Sequence, residues 1–353
     1  MQAELGALIG DADGELAFPR KFLAAEEIPD RLDVYVRDED SPVLEKFLPN
    51  EGYCQTPSDA ATSCHHYKRM GAKIKRGTVI VHRSWRCPLG DILGHGPSTA
   101  AVDVISWNKA FCLFPRYTLL DRESYLLRDI NNARSGEMWE RQFRQLAKEC
   151  IKLETAPWDE ESHRDLTRIR RIGDKHTLVI NLDTDGILEK GMKPIPDSVI
   201  ETATFQVIPE ACNPALGPFG FSPQYTMSCW TAFTHPILKS TYIATPSASA
   251  YGNDIKALRH QISETTRLHL KILPEEQWPA EYYKWVAMDG HGSGPAMLSW
   301  KDGPVPESWM YYDDDLVKQL GKLWDKHRPV EKGTSGMKNC RCVSTSTHTA
   351  SKI

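Results

Sequence analysis

The chain has 353 residues, of which 41% are hydrophobic and 25% charged, and its formal net charge is −4. This composition is typical of a soluble globular protein with one large domain or two of ordinary size, and the small negative charge excludes a global attraction to nucleic acid or to an anionic membrane surface. No apolar run approaches the roughly 20 residues that a membrane span requires, and the acid-bearing N-terminal segment lacks the basic start of a secretory signal.

The first clear element is a strand around Asp33. Leu32, Val34 and Val36 alternate with Asp33 and Tyr35, which predicts a half-buried strand whose two faces differ in polarity. Further elements of the N-terminal part are predicted as a helix over 41–48, a strand over 78–81 and a short helix or turn over 88–93.

Two longer helices are predicted next. Over 99–114 the apolar residues Val102 and Ile105 recur at a helical interval, and 136–153 gives the clearest amphipathic pattern, with Phe143 and Leu146 on one face. We expect both segments to cover the sheet.

The composition changes at Thr155-Ala156-Pro157-Trp158, which we interpret as a linker. Beyond it, the pattern predicts an apolar strand, a region of short strands and long loops, and two closing helices; these elements are expected over 177–182, 194–250, 253–271 and 313–327. The predicted organisation is therefore a domain over 1–155, a C-terminal α+β region over 156–330 and a disordered Lys/Ser/Thr-rich tail over 331–353.

Nine cysteines are scattered along the chain without the spacing of a disulfide framework. An odd number of unpatterned cysteines in a long chain favours reduced thiols inside a cell. We therefore expect an intracellular, cytoplasmic protein with no membrane partner.

Five segments of the chain read ELAFPRKF, PDRLDVYV, VLEKFLPNEGY, DILGHGPSTAAVDVISWNKAFCLFPRYTLL and RIGDKHTLVINLDTDGI, and together they span roughly residues 12 to 187. These segments resemble a group of fungal proteins of uncharacterised activity whose N-terminal part looks like the nucleotidyltransferase fold. The resemblance implies an α/β or α+β fold in which a small mixed sheet with covering helices is followed by the irregular C-terminal part.

The nucleotidyltransferase fold places a Gly-Ser turn before a strand that reads acid–apolar–acid, and the paired carboxylates hold a divalent metal. This chain has Gly14-Glu15 in place of the turn and Arg31 in place of the first acid. Asp30 points to the opposite face by simple register, and the strand over 78–81 carries no carboxylate. A single carboxylate beside a guanidinium favours an ion pair over a metal site.

Two hypotheses of different classes are compatible with these residues. The first is a binding or regulatory protein on a degenerate nucleotidyltransferase-like scaffold. The second is a Mg²⁺-dependent nucleotidyltransferase in which Asp33 is catalytic and binds the metal with Asp30, through a bulge, or with Asp103. Mg²⁺ is the cofactor that this second hypothesis requires, and nothing else in the sequence indicates one.

His95 and Ser98 precede the helix predicted over 99–114, and Thr99 is its first residue. Because a helix N-terminus attracts anions, these residues form a candidate pocket for a nucleotide or another anion; Ser98 and Thr99 are equally good plain helix caps. The sequence gives no strong signal for nucleic acid. An arginine-rich stretch over 164–171 is most simply a salt-bridged surface.

Three other groups of residues have an ordinary interpretation that we favour. Asp183 and Asp185 are typical of an Asp-Gly turn rather than a metal site. His291 and Ser293 lie in a glycine-rich loop whose spacing fails the nucleophile motif. Six thiols and imidazoles have side chains that suit zinc but lack the usual ligand spacing; they are Cys54, Cys64, His65, His66, His82 and Cys87.

Overall fold

The computed structural model describes most of the chain. The described residues are 7–10, 31–56, 64–69, 77–84, 87–127, 136–154, 164–182, 184, 197–209, 225–229, 231–245, 250–287 and 305–328.

Short strands are the most numerous elements in the described part of the chain. In chain order they are β1 (Leu8–Gly10), β2 (Arg31–Arg37), β3 (Tyr53–Gln55), β4 (Cys64–Arg69), β5 (Thr78–Ser84), β6 (Val104–Ile105), β7 (Lys109–Cys112), β8 (Glu123–Tyr125), β9 (Lys152–Glu154), β10 (Arg170–Arg171), β11 (Leu178–Asn181), β12 (Thr204–Pro209), β13 (Tyr225–Ser228), β14 (Thr231–Phe233) and β15 (Tyr242–Ala244).

The helices lie between and after these strands. They are α1 (Ser41–Asn50), α2 (Pro88–His95), α3 (Gly136–Lys148), α4 (Arg164–Thr167), α5 (Asp197–Glu201), α6 (Ala250–Ile272), α7 (Tyr282–Ala287) and α8 (Asp313–His327), with short 3-10 turns at Thr99–Ala101 and Glu275–Gln277 and a π-helical turn at Arg116–Asp121.

One large mixed sheet dominates the architecture. Its eight strands have the order β11-β7-β6-β1-β2-β5-β4-β3, and the smaller groupings are β10-β12-β13, β14-β15 and β8-β9. Within the large sheet β2 and β5 run parallel, with Asp33 beside Ile80, whereas the other neighbours are antiparallel. The mixed α/β class predicted from the sequence is confirmed, although the sheet is larger than the small one expected.

The two faces of the sheet around β2 are covered differently. On one face, Val34 and Val36 pack with Leu44 and Leu48 of α1. On the other face, Tyr35 belongs to the core cluster that includes residues of α2. The alternation read from the sequence therefore gives the correct faces, with Asp33 on the α2 side.

A glycine permits the close approach of α2 to the sheet. A Cβ added at Gly10 would stand 2.8 Å from Ile92 Cγ1 of α2 and 3.1 Å from the ring of Tyr35. Because such a contact is closer than carbon atoms tolerate, a side chain at this position would push the helix away from β1 and β2.

The C-terminal part has its own core, closed by two helices. Ile255, Leu258 and Ile262 of α6 pack with Leu316 and Leu320 of α8. The closing helices predicted over 253–271 and 313–327 are thus confirmed, as are the helix over 41–48 and the strands over 78–81 and 177–182.

The acidic start of α8 ties it to the neighbouring loop. Asp313 Oδ2 accepts a hydrogen bond from the Lys239 amide at 2.9 Å, and its Oδ1 accepts bonds from the Ser240 amide at 3.1 Å and the Tyr242 hydroxyl at 2.9 Å. A carboxylate at a helix N-terminus is favoured by the helix dipole, and here it also anchors β15.

The prediction of a helix over 99–114 is wrong. The segment forms a three-residue 3-10 turn followed by β6 and β7, which are inner strands of the large sheet. Its residues from Ala100 to Ile105 and from Ala110 to Phe114 are buried. Strands covered on both faces read as near-continuous apolar runs, which periodicity alone does not separate from a buried helix.

A strand from beyond the predicted linker joins the N-terminal sheet. β11 pairs antiparallel with β7, so that Val179 lies beside Phe111. The boundary predicted at residue 155 is therefore not a division of this sheet. The predicted tail, residues 331–353, lies outside the described residues.

Candidate functional site

Asp33 lies at the centre of a polar group on the α2 face of the sheet. Its side chain is 4% exposed, and its Oδ1 accepts hydrogen bonds from Arg31 Nη2 and His82 Nε2, each at 2.6 Å. Arg31 shares the face because it is two residues away on β2, and His82 comes from the parallel neighbour β5. The ion pair expected between positions 31 and 33 is confirmed.

The ring of His82 is held from a second side. It stacks on Tyr35, with 4.4 Å between ring centroids and 12° between ring planes. Tyr35 and His82 are direct neighbours in the register of β2 and β5. The imidazole thus has a fixed orientation, with Nε2 directed at the carboxylate of Asp33.

A thiol and a second imidazole extend this group on β4. Cys64 lies directly opposite His82 in the antiparallel pairing of β4 and β5. His66, two residues along the same strand, has Nε2 at 3.8 Å from Cys64 Sγ. Burial lowers the pKa of His66, and the nearby positive charge of Arg31 lowers it further, so the neutral imidazole is favoured.

We call the set Arg31, Asp33, Cys64, His66 and His82 the Asp33 cluster. Its members come from three adjacent strands and share one face of the sheet. Within the part of the chain that the structure describes, no three His, Cys, Asp or Glu side chains are already arranged around a common metal position. Asp30, the predicted metal partner of Asp33, lies outside the described residues.

Asp103, the other acid considered for a metal pair, is committed to a different environment. It is buried just before β6, where Oδ1 accepts a hydrogen bond from the Leu113 amide at 3.0 Å. Burial raises its pKa to about 7, against the lowering effects of the bonds from Leu113 and the Cys112 thiol. The carboxyl is therefore partly protonated at neutral pH, which makes it a poor magnesium ligand.

The helix that was predicted to form the candidate anion pocket is not present in the structure at residues 99–114. His95 lies in the last turn of α2, half exposed, with its Nδ1 at 3.0 Å from the Asp91 carbonyl oxygen. Ser98 and Thr99 are buried, and the Thr99 hydroxyl accepts a bond from the Tyr125 amide at 2.9 Å. Because a 3-10 turn of three residues comes next, these side chains do not surround a helix N-terminus.

The remaining candidates are dispersed. His65 points to the opposite face of β4, where its Nδ1 lies 2.9 Å from Gln55 Nε2; Cys54 is exposed; and burial raises the pKa of the Cys87 thiol to about 11. Arg170, in the arginine-rich stretch, is buried rather than solvated. Four candidates lie outside the described residues, namely Asp183, Asp185, His291 and Ser293.

Sequence reasoning identified Asp33 and Arg31 but not the role of His82. The interaction between His82 and Asp33 joins positions 49 apart, and it depends on the parallel register of β2 and β5. The only local signal was the position of His82 at the end of a strand pattern, which does not specify a neighbour.

Comparisons with protein-family models, with curated proteins and with solved structures found no match to this chain. The resemblance to fungal proteins with a nucleotidyltransferase-like region therefore stays a prediction. Among the described residues, none of the helices combines the length and apolar character needed to span a membrane.

Proposed function

We propose that this chain is an intracellular binding or regulatory protein built on a nucleotidyltransferase-like scaffold without transfer chemistry. The observation that carries the proposal is the state of Asp33, whose Oδ1 receives both Arg31 and His82 at 2.6 Å. The side chains of Arg31 and Asp33 are 15% and 4% exposed, so solvent screens their attraction only partly.

The charges of the Asp33 cluster also argue against a magnesium site. A Mg²⁺ ion bound at Asp33 Oδ1 would have to displace a guanidinium and an imidazole from that oxygen. Magnesium prefers sites that supply several oxygen ligands in octahedral geometry, whereas the β5 strand supplies Thr78, Ile80 and His82 on this face and no carboxylate. The Coulombic gain from a single acid is therefore small compared with the ion pair that would be lost.

The ligand class that we propose is an anion, with nucleotides included. Free cysteines are present along the described chain, which is consistent with a reducing compartment. In this proposal the protein holds its ligand without a divalent cation, and any regulatory effect results from occupancy rather than turnover.

Isothermal titration calorimetry of the full chain with ATP and with CTP, each with and without Mg²⁺, tests the proposal. We expect Mg²⁺ to leave any nucleotide affinity unchanged within about twofold, and Asp33→Asn to behave in the same way as the wild type towards Mg²⁺. Tight nucleotide binding that requires Mg²⁺ and is lost in Asp33→Asn would support the nucleotidyltransferase hypothesis and refute this one.

A further inference from the structure

Four side chains form a row across the large sheet, next to Asp33. Arg31 of β2 lies beside Thr78 of β5, and Thr78 lies opposite Lys68 of β4. Lys68 in turn lies opposite Cys54 of β3. Residues paired across neighbouring strands project from the same face, and Arg31 is two residues from Asp33, so the whole row shares the face of Asp33. We call these four residues the Arg31 row.

The Arg31 row lies away from the helix that covers this face. Tyr35, four residues further along β2, belongs to the core cluster that includes residues of α2. In the Arg31 row, by contrast, Lys68 and Cys54 are exposed and the other two side chains are partly exposed. The described part of the chain therefore leaves the row accessible from solvent.

Two cations stand on either side of a hydroxyl in this row. Neighbouring strands are about 4.8 Å apart, so the Cα atoms of Arg31 and Lys68 are about 10 Å from each other, with Thr78 between them. The long side chains of both cations allow the two charged groups to meet one ligand above Thr78. Over β2, β3, β4 and β5, the described residues of this face carry a single acid, Asp33.

The neighbouring imidazole lies in the positive potential of the row. Burial lowers the pKa of His66, the charges of Arg31 and Lys68 lower it further, and the charge of Asp33 raises it. His66 is two residues from Lys68 on β4 and shares its face. The two cations come from different strands and yet act on one position, which places them close to each other in space.

Asp33 holds the guanidinium at the row. Its Oδ1 accepts a bond from Arg31 Nη2 at 2.6 Å. A guanidinium has five N–H donors, so this bond is compatible with further bonds to a ligand. The planar fork of arginine matches the oxygens of a phosphate group, and lysine binds phosphate as a point charge. The hydroxyl of Thr78 supplies a third donor.

We propose that the Arg31 row binds a phosphate group, with Arg31 and Lys68 on either side of it and the Thr78 hydroxyl beneath it. The inference deepens the proposed function, on which it rests for an anion held without a divalent cation, by assigning that anion to a place on the sheet. The phosphate group belongs either to a nucleotide or to free phosphate or pyrophosphate.

Isothermal titration calorimetry of the full chain with pyrophosphate, inorganic phosphate and ATP, without divalent cations, tests the site. We expect pyrophosphate to bind. Lys68→Gln should weaken this binding about tenfold, because it removes a hydrogen bond from a charged donor, and Thr78→Val, which keeps the β-branched shape, should weaken it about fivefold. Tighter binding of ATP than of pyrophosphate would identify a nucleotide as the ligand, and equal affinity would identify a site for phosphate alone.

Arg69→Gln is the matched control for Lys68→Gln. Arg69 is the exposed neighbour of Lys68 on β4 and projects from the opposite face. This variant has the same net charge as Lys68→Gln and should bind pyrophosphate as the wild type does. Equal weakening in the two variants would overturn the site, as would a wild type that does not bind pyrophosphate.

A measurement on the wild type alone covers the case in which a variant fails to fold. Cys54, in the row, and Cys150, after α3, are both exposed free thiols. At low ionic strength, the ratio of alkylation by anionic iodoacetate to alkylation by neutral iodoacetamide should be higher at Cys54 than at Cys150, as mapped by peptide mass spectrometry. Pyrophosphate should lower this ratio at Cys54 only. A ratio at Cys54 that pyrophosphate leaves unchanged overturns the proposal.

The results separate this site from the proposed function. Nucleotide binding that is independent of Mg²⁺ and unchanged in Lys68→Gln would leave the proposed function standing and overturn the site. Nucleotide binding that requires Mg²⁺ would refute the proposed function, whatever the result for pyrophosphate.

Discussion

Replacing Asp103 with asparagine should make the stability of the fold less sensitive to a rise in pH between about 4 and 7. The carboxyl is buried, and its Oδ1 accepts the Leu113 amide. The Leu113 amide and the weakly donating Cys112 thiol are the groups that favour the charged form, and they offset little of the cost of a negative charge in the core. Asparagine keeps an oxygen that can accept the Leu113 bond and carries no charge at any pH.

The expected loss of stability follows from the difference between the pKa of Asp103 in the folded and in the unfolded state. Burial raises the pKa of Asp103 from its ordinary value of 3.8 to about 7. The folded state therefore holds a proton that the unfolded state releases between these two values, and stability falls as pH rises through this window. At about 1.4 kcal/mol for each pH unit, the loss is on the order of 4 kcal/mol above pH 7. Below pH 4 the carboxyl is protonated in both the folded and the unfolded state, so it no longer lowers the free energy of unfolding through ionisation.

Urea denaturation of the wild type and of Asp103→Asn across pH 4 to 8 measures the effect. We expect the free energies of unfolding of the two proteins to converge at low pH. As pH rises, the free energy of unfolding of the variant should increase relative to that of the wild type. Asp121→Asn, at an exposed position, is the control for removal of a surface carboxylate. A constant difference between wild type and Asp103→Asn at all pH values would refute a buried, titrating carboxyl.

Two further predictions concern packing and a buried ion pair. Gly96→Ala should destabilise the fold by several kcal/mol, because the added Cβ would stand 2.2 Å from Val102 Cγ1. Gly321→Ala in α8 meets nothing within 4 Å and should stabilise the fold by up to about 1 kcal/mol. Thermal denaturation compares the two variants, and equal effects would contradict the structure. Arg170→Met should cost about 3 kcal/mol, because it removes the guanidinium bonded at 2.5 Å to the mostly buried Asp174 carboxylate; the bonds that Asp174 accepts from the His176 and Arg171 amides remain. Adding Asp174→Leu should recover part of that loss in a double-mutant cycle, and a purely additive loss would argue against the pair.

Much of the local structure could be predicted from the sequence, because local patterns determine it. Alternation in β2 is enough to place Asp33 and Arg31 together, since the side-chain period of a strand is two. The leucine and isoleucine spacing of α6 and α8 likewise predicts their buried stripes. In α6 and α8 one face is exposed, and in β2 one face is apolar whereas the other carries Arg31 and Asp33, so the contrast between the faces is visible in the sequence.

The segment that was wrongly predicted lacks that contrast. Val102 and Ile105 suit a helix by spacing, but the segment enters the middle of the sheet, where both faces are covered. The same limit applies to the candidate site. His82 and Cys64 become neighbours only through strand pairing, and no local pattern specifies which strands pair.

The chain order of the sheet has a consequence for how the Asp33 cluster is built. β5 enters between β2 and β4, so the last of these strands to be synthesised occupies the middle position. Until residues 78–84 dock, Asp33 lacks its imidazole partner and Cys64 faces no histidine. Contacts of this sequence separation are slow to form, and any ligand selective for the completed arrangement would favour folded over unfolded chains by mass action.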